Sequence, residues 1–314
     1  MLNRDRTNHR SQALAALVAF AVVGSAAATG RAQASSGEEV SLYVTVVQGD
    51  KLIGGLLQGN FRLYEDGQAR DFRLVKPEAP ASIALLVEHS RSSYLYFADI
   101  QSSVLSFVKQ LPEDNWYAFS TFSRDMTVQV DFTKLSGKIT DAFAGLPSPL
   151  WSEINTYDAV YDTLDALARL PGRRVLIVVG SGMDTFSGRT LDDVRKRLHA
   201  ANVTVYAVGA GSNLRGRYES YLSSDAQMRL RQSQSFMQML ADESGGEAWF
   251  PKFETAFGDV MRGVLQDIAF QYRLVYSRQL PRDGKLHKLK VEAFQIVDDK
   301  RVNFKVLSRV GWRL

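Results

Sequence analysis

A carboxylate and two hydroxyls follow one apolar run at a spacing of two residues. In "IALLVEHSRSS", residues 83–93, the run ends at Glu88, and Ser90 and Ser92 come after it. Mg²⁺ prefers oxygen ligands in octahedral geometry, and one loop of this composition could supply about half of the shell. Neighbouring loops would have to supply the rest. The sequence therefore predicts either a cation site or the remnant of one.

Buried strands and helices must position this loop. Four apolar runs are too continuous for half-exposed strands and predict strands buried on both faces: 83–87, 117–122, 175–179 and 203–208. Helical patterns follow at about 94–111, 135–146, 156–170, 191–201, 236–243 and 253–272. This alternation predicts an α/β fold with a doubly wound, mainly parallel sheet and helices on both faces. Ligands bind at the carboxyl ends of such strands, which is where Glu88 lies.

Other strand patterns flank the α/β segment. "DMTVQVDF", residues 125–132, alternates with period two and predicts an antiparallel edge strand. Strand patterns also occur before residue 78, around an Asp66-Gly67 turn, and after residue 272, around an Asp283-Gly284 turn. We expect a small β-sandwich built from both ends of the chain, 35–78 and 273–314, with the α/β domain, 79–272, inserted. Trp312 is predicted to cover its core, and Trp249 and Phe250 are predicted as buried residues of a sixth strand.

The first 34 residues have the composition of a secretory signal peptide. Three arginines, Arg4, Arg6 and Arg10, precede an apolar run at 13–28 and the small-residue sequence "RAQA". The run is shorter than the roughly 20 residues that a membrane span needs. We expect cleavage after Ala34 and export to the periplasm, the cell surface or the medium, with no membrane span afterwards. A leader retained as an anchor stays open as the alternative.

Composition excludes several classes of site. The chain has no cysteine, so disulfides, thiolate metal ligands and a cysteine nucleophile are excluded. Of 38 basic and 34 acidic residues, four arginines and one aspartate fall in the leader, which leaves 34 against 33. A net charge of +1 gives no support to a nucleic-acid partner.

Catalytic and nucleotide-binding motifs are incomplete. His89 lies between Glu88 and Ser90, but successive residues of an extended segment point in opposite directions and cannot converge as base and nucleophile. His199 and His287 fall in a helical and a strand pattern, where surface positions are expected. The Gly-x-Gly pairs at 180–182 and 209–211 lack the third glycine of a dinucleotide motif. We predict neither an enzyme nor a small-molecule cofactor.

The order and spacing of several segments resemble the von Willebrand factor A domain, and more closely its VWFA-related Acidobacterial type. The segments are "GLLQGNFRLYEDGQARDF", "LLVEHSRSS", "NTYDAVYDTL", "RRVLIVVGSGMDTFS", "ADESGGEAWF" and the closing "YRLVYS" with "DGKLHKLKV". The resemblance implies a protein-binding module. It also implies a metal-ion-dependent adhesion site, made from Asp-x-Ser-x-Ser on the first loop, a threonine on the second and an aspartate on the third.

Carried over to this chain, the first loop keeps its serines but not its aspartate. Ser90 and Ser92 match, whereas Glu88 is one methylene longer than the aspartate of the family pattern. Arg91 adds a positive charge where the family usually has glycine. Glu88, Ser90 and Ser92 are thus the candidate metal ligands on this loop.

The second and third loops match less well. Alignment on "YDAV" puts Ile154 at the threonine position, with Thr156 two residues away. The third-loop aspartate is replaced by Ser181, and the nearby Asp184 matches a different aspartate of the pattern. One matched carboxylate would leave a divalent cation under-neutralised, so we predict a degenerate site. The alternative is a working Mg²⁺ or Mn²⁺ site that recruits Asp184 or Asp158.

A second candidate surface follows the fifth strand, in residues 213–236. Its arginines and tyrosines have the composition of protein interfaces, although a solvated polar helix is the alternative. They are Arg215, Arg217, Tyr218, Tyr221, Arg229 and Arg231.

The sequence as a whole predicts an exported, non-catalytic protein-binding module. It would act through the loops around Glu88, Ser90, Ser92, Thr156, Ser181 and Asp184. We expect little or no metal dependence. A structural component of an envelope or secretion assembly with an unused site is the main alternative.

Overall fold

The computed structural model describes residues 38–77, 80–93, 97, 100–101, 104–105, 107–108, 110–112, 114–210, 223–251, 256–278 and 282–313 of the 314-residue chain. All of them belong to one compact unit, Gly37–Leu314. The predicted leader lies outside the described residues, as do Arg215, Arg217, Tyr218 and Tyr221. Within the described part, no helix is long and apolar enough to cross a membrane.

The strands fall into two sheets. In chain order they are β1 Glu38–Gln48, β2 Lys51–Leu52, β3 Phe61–Glu65, β4 Gln68–Arg70, β5 Arg73–Val75, β6 Ser82–Glu88, β7 Trp116–Phe122, β8 Met126–Thr133, β9 Arg174–Gly180, β10 Thr204–Gly209, β11 Ala248–Trp249, β12 Tyr272–Arg278, β13 Leu286–Val297, β14 Lys300–Ser308 and β15 Gly311–Arg313. The helices with described bounds are α1 Ser136–Ala144, α2 Thr156–Ala168, α3 Leu191–Ala201, α4 Ser224–Ser244 and α5 Ala256–Phe270. Described positions between 97 and 108 are also helical.

The first sheet has the predicted doubly wound architecture. Its strand order is β11-β10-β9-β6-β7-β8, and every pair is parallel except β7 with β8. The antiparallel edge strand predicted from "DMTVQVDF" is confirmed as β8. Because β6 lies at the centre, its residues face two cores in turn: Ile83, Leu85 and Val87 pack with α1 and α5, whereas Ala84 and Leu86 pack with α2, α3 and α4. Helices on both faces are therefore confirmed.

The second sheet joins the two ends of the chain. Its main path is β4-β3-β13-β14-β1-β12-β5, with β2 and β15 paired at its side, and the pairs are antiparallel. One face encloses a core in which Trp312 is buried, as predicted. The hydrogen bonds run through one sheet, so the predicted β-sandwich is not confirmed.

Two predictions of local structure are wrong, namely the start of one helix and the surface position of His199. The helix expected at 236–243 begins at Ser224, where Ser223 caps it by accepting a hydrogen bond from the Ala226 N–H. Arg229 and Arg231 lie on the exposed face of this helix, and their contact with a partner stays a prediction. His199 is buried and not at the surface, and its ring nitrogen bonds to the Glu243 carboxylate at 2.7 Å.

The sixth strand is also less enclosed than expected. Trp249 is half-buried on β11 and stacks on Tyr206, with the ring centroids 6.1 Å apart. Phe250 follows the strand and is likewise half-buried. A two-residue strand at the sheet edge has a neighbouring strand on one side only, so both side chains stay partly exposed and the prediction that they are buried is wrong.

Candidate functional site

Glu88 ends the central strand with its side chain fully buried at the carboxyl edge of the parallel sheet. Its exposed fraction is 0%, and that of Ser90 is also 0%. A carboxylate removed from water must find compensating partners, because an unpaired buried charge costs several kcal/mol. The hydrogen bonds of Glu88 therefore determine what this edge can do.

Both oxygens of the Glu88 carboxylate accept hydrogen bonds from neighbouring loops. The Ser90 hydroxyl donates to Oε1 at 2.9 Å. Ser181 donates twice to Oε2, from its backbone N–H at 2.7 Å and from its hydroxyl at 2.6 Å. The carboxylate thus joins the loop after β6 to the loop after β9 without any intervening atom.

Gly180 makes room for this contact. A Cβ added at Gly180 would lie 2.8 Å from the Glu88 Cβ and 2.9 Å from its Oε2, closer than side-chain atoms approach in proteins. The last residue of β9 must therefore lack a side chain for Glu88 to reach Ser181.

The loop after β6 closes on itself through Ser93. The Ser93 N–H donates to the Ser90 hydroxyl at 3.1 Å, and the Ser93 hydroxyl donates to the Ser90 carbonyl at 2.7 Å. The Ser90 N–H in turn donates to the Ser93 hydroxyl at 3.0 Å. Ser90 can keep its own hydroxyl on Glu88 because the short turn fixes its rotamer.

The remaining predicted ligands bond elsewhere. The exposed Ser92 donates to the Ser152 carbonyl at 3.2 Å, and the buried Thr156 donates to the Met183 carbonyl. Asp184 accepts from the Tyr157 N–H at 2.9 Å and from the Ser187 hydroxyl at 2.6 Å, at the first turn of α2. The structure brings Glu88, Ser90 and Ser181 together and gives Ser92, Thr156 and Asp184 separate structural partners.

Asp158 and Ile154, the other residues considered for the site, also have structural roles. Asp158 accepts from the backbone N–H groups of Gly188 at 2.9 Å and Arg189 at 2.8 Å. Ile154 is buried in the core on the α2 side of the sheet. Both oxygens of the Asp158 carboxylate therefore help to order the loop after β9.

Asn155 ties three loops of this edge into one surface. Its N–H donates to the Ser123 carbonyl and its amide nitrogen to the Arg124 carbonyl, both at 2.8 Å. Its amide oxygen accepts from the Phe186 N–H at 3.2 Å. These bonds place the segments after β7, before α2 and after β9 side by side.

Large apolar side chains project from this surface. Leu150 is 75% exposed, Trp151 41% and Phe186 78%. The Arg124 guanidinium lies over the Trp151 ring at 3.8 Å from its centroid, and the Trp151 carbonyl accepts from the Arg91 N–H at 2.7 Å. We call Arg124, Leu150, Trp151 and Phe186 the rim patch.

His89 faces away from the carboxylate cluster. Its ring packs on Phe97, with the centroids 4.8 Å apart, and burial lowers the pKa of the imidazole. A neutral imidazole held against a phenyl ring is a packing group. Among the described residues there is no cluster of three or more histidine, aspartate or glutamate side chains that could hold a metal ion.

Sequence patterns could not identify several of these features. The Ser181 N–H and Gly180 matter only because β6 and β9 are neighbours in register, with Val87 opposite Val179. Ser93 follows the matched serines and is absent from the quoted metal pattern. The exposure of Trp151 and Phe186 depends on loop packing, although aromatic residues in polar loop segments were an available signal.

Comparison with known proteins identifies the family. The profile described as von Willebrand factor type A domain matches residues 82–243, which is 162 of 314 residues. No curated protein matches the chain. Similar solved structures include a von Willebrand factor type A protein from Catenulispora acidiphila, with 9% identity over 90% of this chain and 75% of that chain, at a TM-score of 0.47. An aerotolerance-related membrane protein from Bacteroides fragilis NCTC 9343 is 13% identical, over 60% of this chain and 98% of that chain, at a TM-score of 0.45. Proximal thread matrix protein 1 from the mussel byssus, with a zinc-occupied MIDAS motif, is 14% identical, over 67% of this chain and 50% of that chain, at a TM-score of 0.46. Because the profile covers more than half of the chain and spans the sheet that carries Glu88, the chain belongs to the von Willebrand factor type A domain family.

Proposed function

We propose that this chain is a non-catalytic protein-binding module whose loop edge binds its partner without a divalent cation. The observation that carries the proposal is the Glu88 carboxylate, which accepts hydrogen bonds from Ser90 and Ser181. These bonds join the loops that a cation would otherwise join. The edge is then ordered in the absence of metal.

The hydrogen-bond donors around Glu88 do not fit a cation. A backbone N–H cannot rotate away from Oε2, and its positive end would face any ion placed there. Ser181 stands where the family pattern has an aspartate, so the second carboxylate that would neutralise a divalent ion is missing. We infer that the adhesion site is degenerate and that neither Mg²⁺ nor Mn²⁺ is needed.

Burial also favours binding over catalysis. The Ser90 hydroxyl and the Glu88 carboxylate resemble a nucleophile and base, at 2.9 Å. Both side chains are fully buried, however, so no substrate reaches them in this conformation. A hydroxyl held this way serves as a structural hydrogen-bond donor.

The rim patch is the part of the edge that a partner would contact. Exposed aromatic side chains, and an arginine stacked on one of them, have the composition of interface hot spots. Arg124 loses little conformational freedom on binding, because the Trp151 ring already orders its guanidinium. We propose that Trp151 and Phe186 are the anchors. Export to the periplasm, the cell surface or the medium remains part of the proposal and is supported by the composition of residues 1–34.

Crosslinking in the native organism tests this function. A photo-crosslinker at the rim patch should capture a defined partner, identified by mass spectrometry, equally well with a chelator present. Trp151→Ala with Phe186→Ala should abolish the capture. The matched control is Leu135→Ala with Val128→Ala, two exposed apolar residues elsewhere in the α/β domain, which should leave it intact.

Two results would contradict the proposal. If the chelator removes the crosslinked partner, the edge depends on a cation. If the rim double variant captures the partner as well as the control does, the loop edge is unused, and a structural role in an envelope or secretion assembly is favoured instead.

A further inference from the structure

A second charged surface lies on the antiparallel sheet, apart from the loop edge. Along β13, Leu289, Val291 and Ala293 point into the core of that sheet. Because side chains alternate along a strand, Lys288, Lys290, Glu292 and Phe294 point to the opposite face. This face is where the strand carries its charges.

The pairing register extends this face across the neighbouring strands. On β3, Arg62 lies opposite Glu292 and Tyr64 lies opposite Lys290. On β14, Asn303 lies opposite Phe294 and Arg301 lies opposite Ile296. We call Arg62, Lys288, Lys290 and Arg301 the cationic face.

The charge of this face is net positive. Its four cations are accompanied by two carboxylates, Glu292 and, opposite Lys288, Asp66, which accepts from the Lys288 N–H at 2.7 Å. The net charge is therefore 4 minus 2, or +2. The whole chain carries +4. Lys305 borders the face and lies near Glu247, whose pKa is raised by burial and only partly lowered by Lys305, and it is not included in this count. All four cationic residues are exposed.

Aromatic rings hold three of the four cations in place. The guanidinium of Arg301 lies 4.0 Å from the centroid of the Phe294 ring, and that of Arg62 lies 5.2 Å from it. The Lys290 ammonium lies 5.8 Å from the Tyr64 ring centroid. Arg301 also donates to Asn303 at 2.9 Å and to Glu292 at 3.0 Å. Side chains ordered before binding lose less entropy when a ligand arrives.

We infer that the cationic face is a second binding surface, which takes an acidic segment of a protein partner. Carboxylates match the forked donors of two fixed guanidinium groups. A groove of about 520 Å³ lies between β13 and β14, and its lining combines polar residues of this face with apolar residues, among them Lys290, Glu292, Arg301, Asn303, Val291 and Val306. An extended acidic segment laid along β13 would meet Lys288, Lys290 and then the two arginines. Charge complementarity of this kind sets both the rate of association and the choice of partner.

Two other anionic partners fit this face less well. Single-stranded nucleic acid needs exposed ring faces for stacking, but Phe294 is buried and arginines lie over its ring. A membrane surface would meet Asp298 and Asp299, two exposed carboxylates at the tip of the β13–β14 hairpin. Anionic headgroups would repel that tip.

Binding of a labelled oligoglutamate peptide, followed by fluorescence anisotropy, tests the inference on the full chain. We expect saturable binding that weakens as salt is raised. Lys290→Glu with Arg301→Glu should weaken it by about tenfold or more, because two attractive contacts become repulsive. The matched control, Lys51→Glu with Lys138→Glu, makes the same charge change at exposed positions off this face and should bind as the unchanged protein does.

Three results would overturn the inference. One is the absence of peptide binding at low salt. Another is equal weakening in both double variants, since the effect would then come from net charge. The third is tighter binding of an oligothymidylate or of phosphatidylglycerol vesicles than of the peptide, which would assign the face to nucleic acid or membrane. Circular dichroism of each variant checks that the fold is retained.

Discussion

Glu88 and Ser181 are complementary replacements at one contact between two loops. An aspartate at 181 would put a second carboxylate where the Ser181 hydroxyl now lies 2.6 Å from Oε2, and like charges at that distance repel strongly. Serine supplies a donor instead, and the extra methylene of glutamate lets the carboxylate reach it. In the proposed metal-free edge, hydrogen bonding by this pair takes the place of ion coordination.

Removing the Glu88 carboxylate should destabilise the fold. Glu88→Ala leaves the Ser181 N–H and two hydroxyls without their acceptor in a buried site, which we expect to lower the free energy of unfolding by about 2–4 kcal/mol. Urea unfolding measures it. Ser92→Ala is the control, since Ser92 is exposed, and it should change stability by less than about 0.5 kcal/mol. Equal stability of the two variants would contradict the internal role of Glu88.

Gly180 should not tolerate a side chain. In Gly180→Ala the new methyl would meet the Glu88 Cβ at 2.8 Å, so either β9 or Glu88 must move. We expect a loss of about 1–3 kcal/mol in the free energy of unfolding. Gly188→Ala is the matched change, because its added methyl would lie 3.9 Å from Asp158, an ordinary contact. If both variants unfold at the same urea concentration, the proposed close approach is absent.

At the residue scale the sequence predicts which side chains are of interest but not their partners. Glu88 and Ser90 are recognisable because they follow a buried apolar run. That Oε2 meets a backbone N–H of Ser181 is a consequence of strand register, which no local pattern encodes. Thr156 and Asp184 were expected near the site for their chemistry, whereas Thr156 donates to the Met183 carbonyl and Asp184 accepts from the Tyr157 N–H and the Ser187 hydroxyl.

At the scale of elements, the buried strands are the most predictable part. Strands β6, β7, β9 and β10 all lie where continuous apolar runs occur, because burial on both faces leaves a clear signal. The start of α4 was missed, since the few apolar residues of its first turns, Ala226, Met228 and Leu230, are not buried and form no helical pattern, and only the Ser223 cap marks them. Whether flanking strands form one sheet or two depends on long-range pairing, which periodicity cannot specify.

Helix α5 offers a stabilising substitution. Gly258 lies in the helix, and a Cβ added there meets nothing within 4 Å. Gly258→Ala should raise the free energy of unfolding by about 0.5–1 kcal/mol, because alanine loses less backbone entropy than glycine. Thermal unfolding measures the change. Gly245→Ala is the contrasting variant, with φ at +86° and the added methyl 2.6 Å from the Arg309 nitrogen, and it should destabilise. A Gly258→Ala variant that melts below the unchanged protein would contradict the placement of Gly258 at an unobstructed helical position.

At the scale of the whole molecule, the buried Arg309 joins the antiparallel sheet to a helix of the α/β domain. Arg309, beside β14, donates to the His199 carbonyl at 2.6 Å and to the Asn202 side chain at 3.1 Å, both at the end of α3. Its guanidinium stacks on Trp312 at 3.6 Å from the ring centroid, and burial lowers its pKa to about 9. The carboxyl end of a helix carries partial negative charge that stabilises such a cation. The antiparallel sheet is thereby fixed to the α/β domain.

A buried acid near this junction should make stability depend on pH. Burial, and then the neighbouring Glu247, raise the pKa of Asp267 to about 7. The folded protein therefore keeps a proton that the unfolded chain releases above its ordinary pKa of 3.8. The free energy of unfolding should fall as pH rises from about 4 to about 7 and then level off, with a slope of at most about 1.4 kcal/mol per pH unit from this group.

The variant Asp267→Asn tests that dependence. It cannot ionise, so its melting temperature should change less between acid and neutral pH and should exceed that of the unchanged protein above pH 7. Asp259→Asn, on the exposed side of the same helix, is the control and should follow the unchanged protein. Parallel pH profiles for all three proteins would show that Asp267 does not carry a buried proton.

Independence from metal is the central claim, and melting of the chelator-treated protein with added Mg²⁺ or Mn²⁺ tests it most directly. A ligand that binds only the folded state raises the melting temperature in a saturable manner. Glu88→Asp with Ser181→Asp serves as a comparison, because it restores aspartate at both positions of the family pattern and should gain a cation response. For the unchanged protein we predict the same melting temperature with and without either cation. A saturable rise in the unchanged protein would contradict the account.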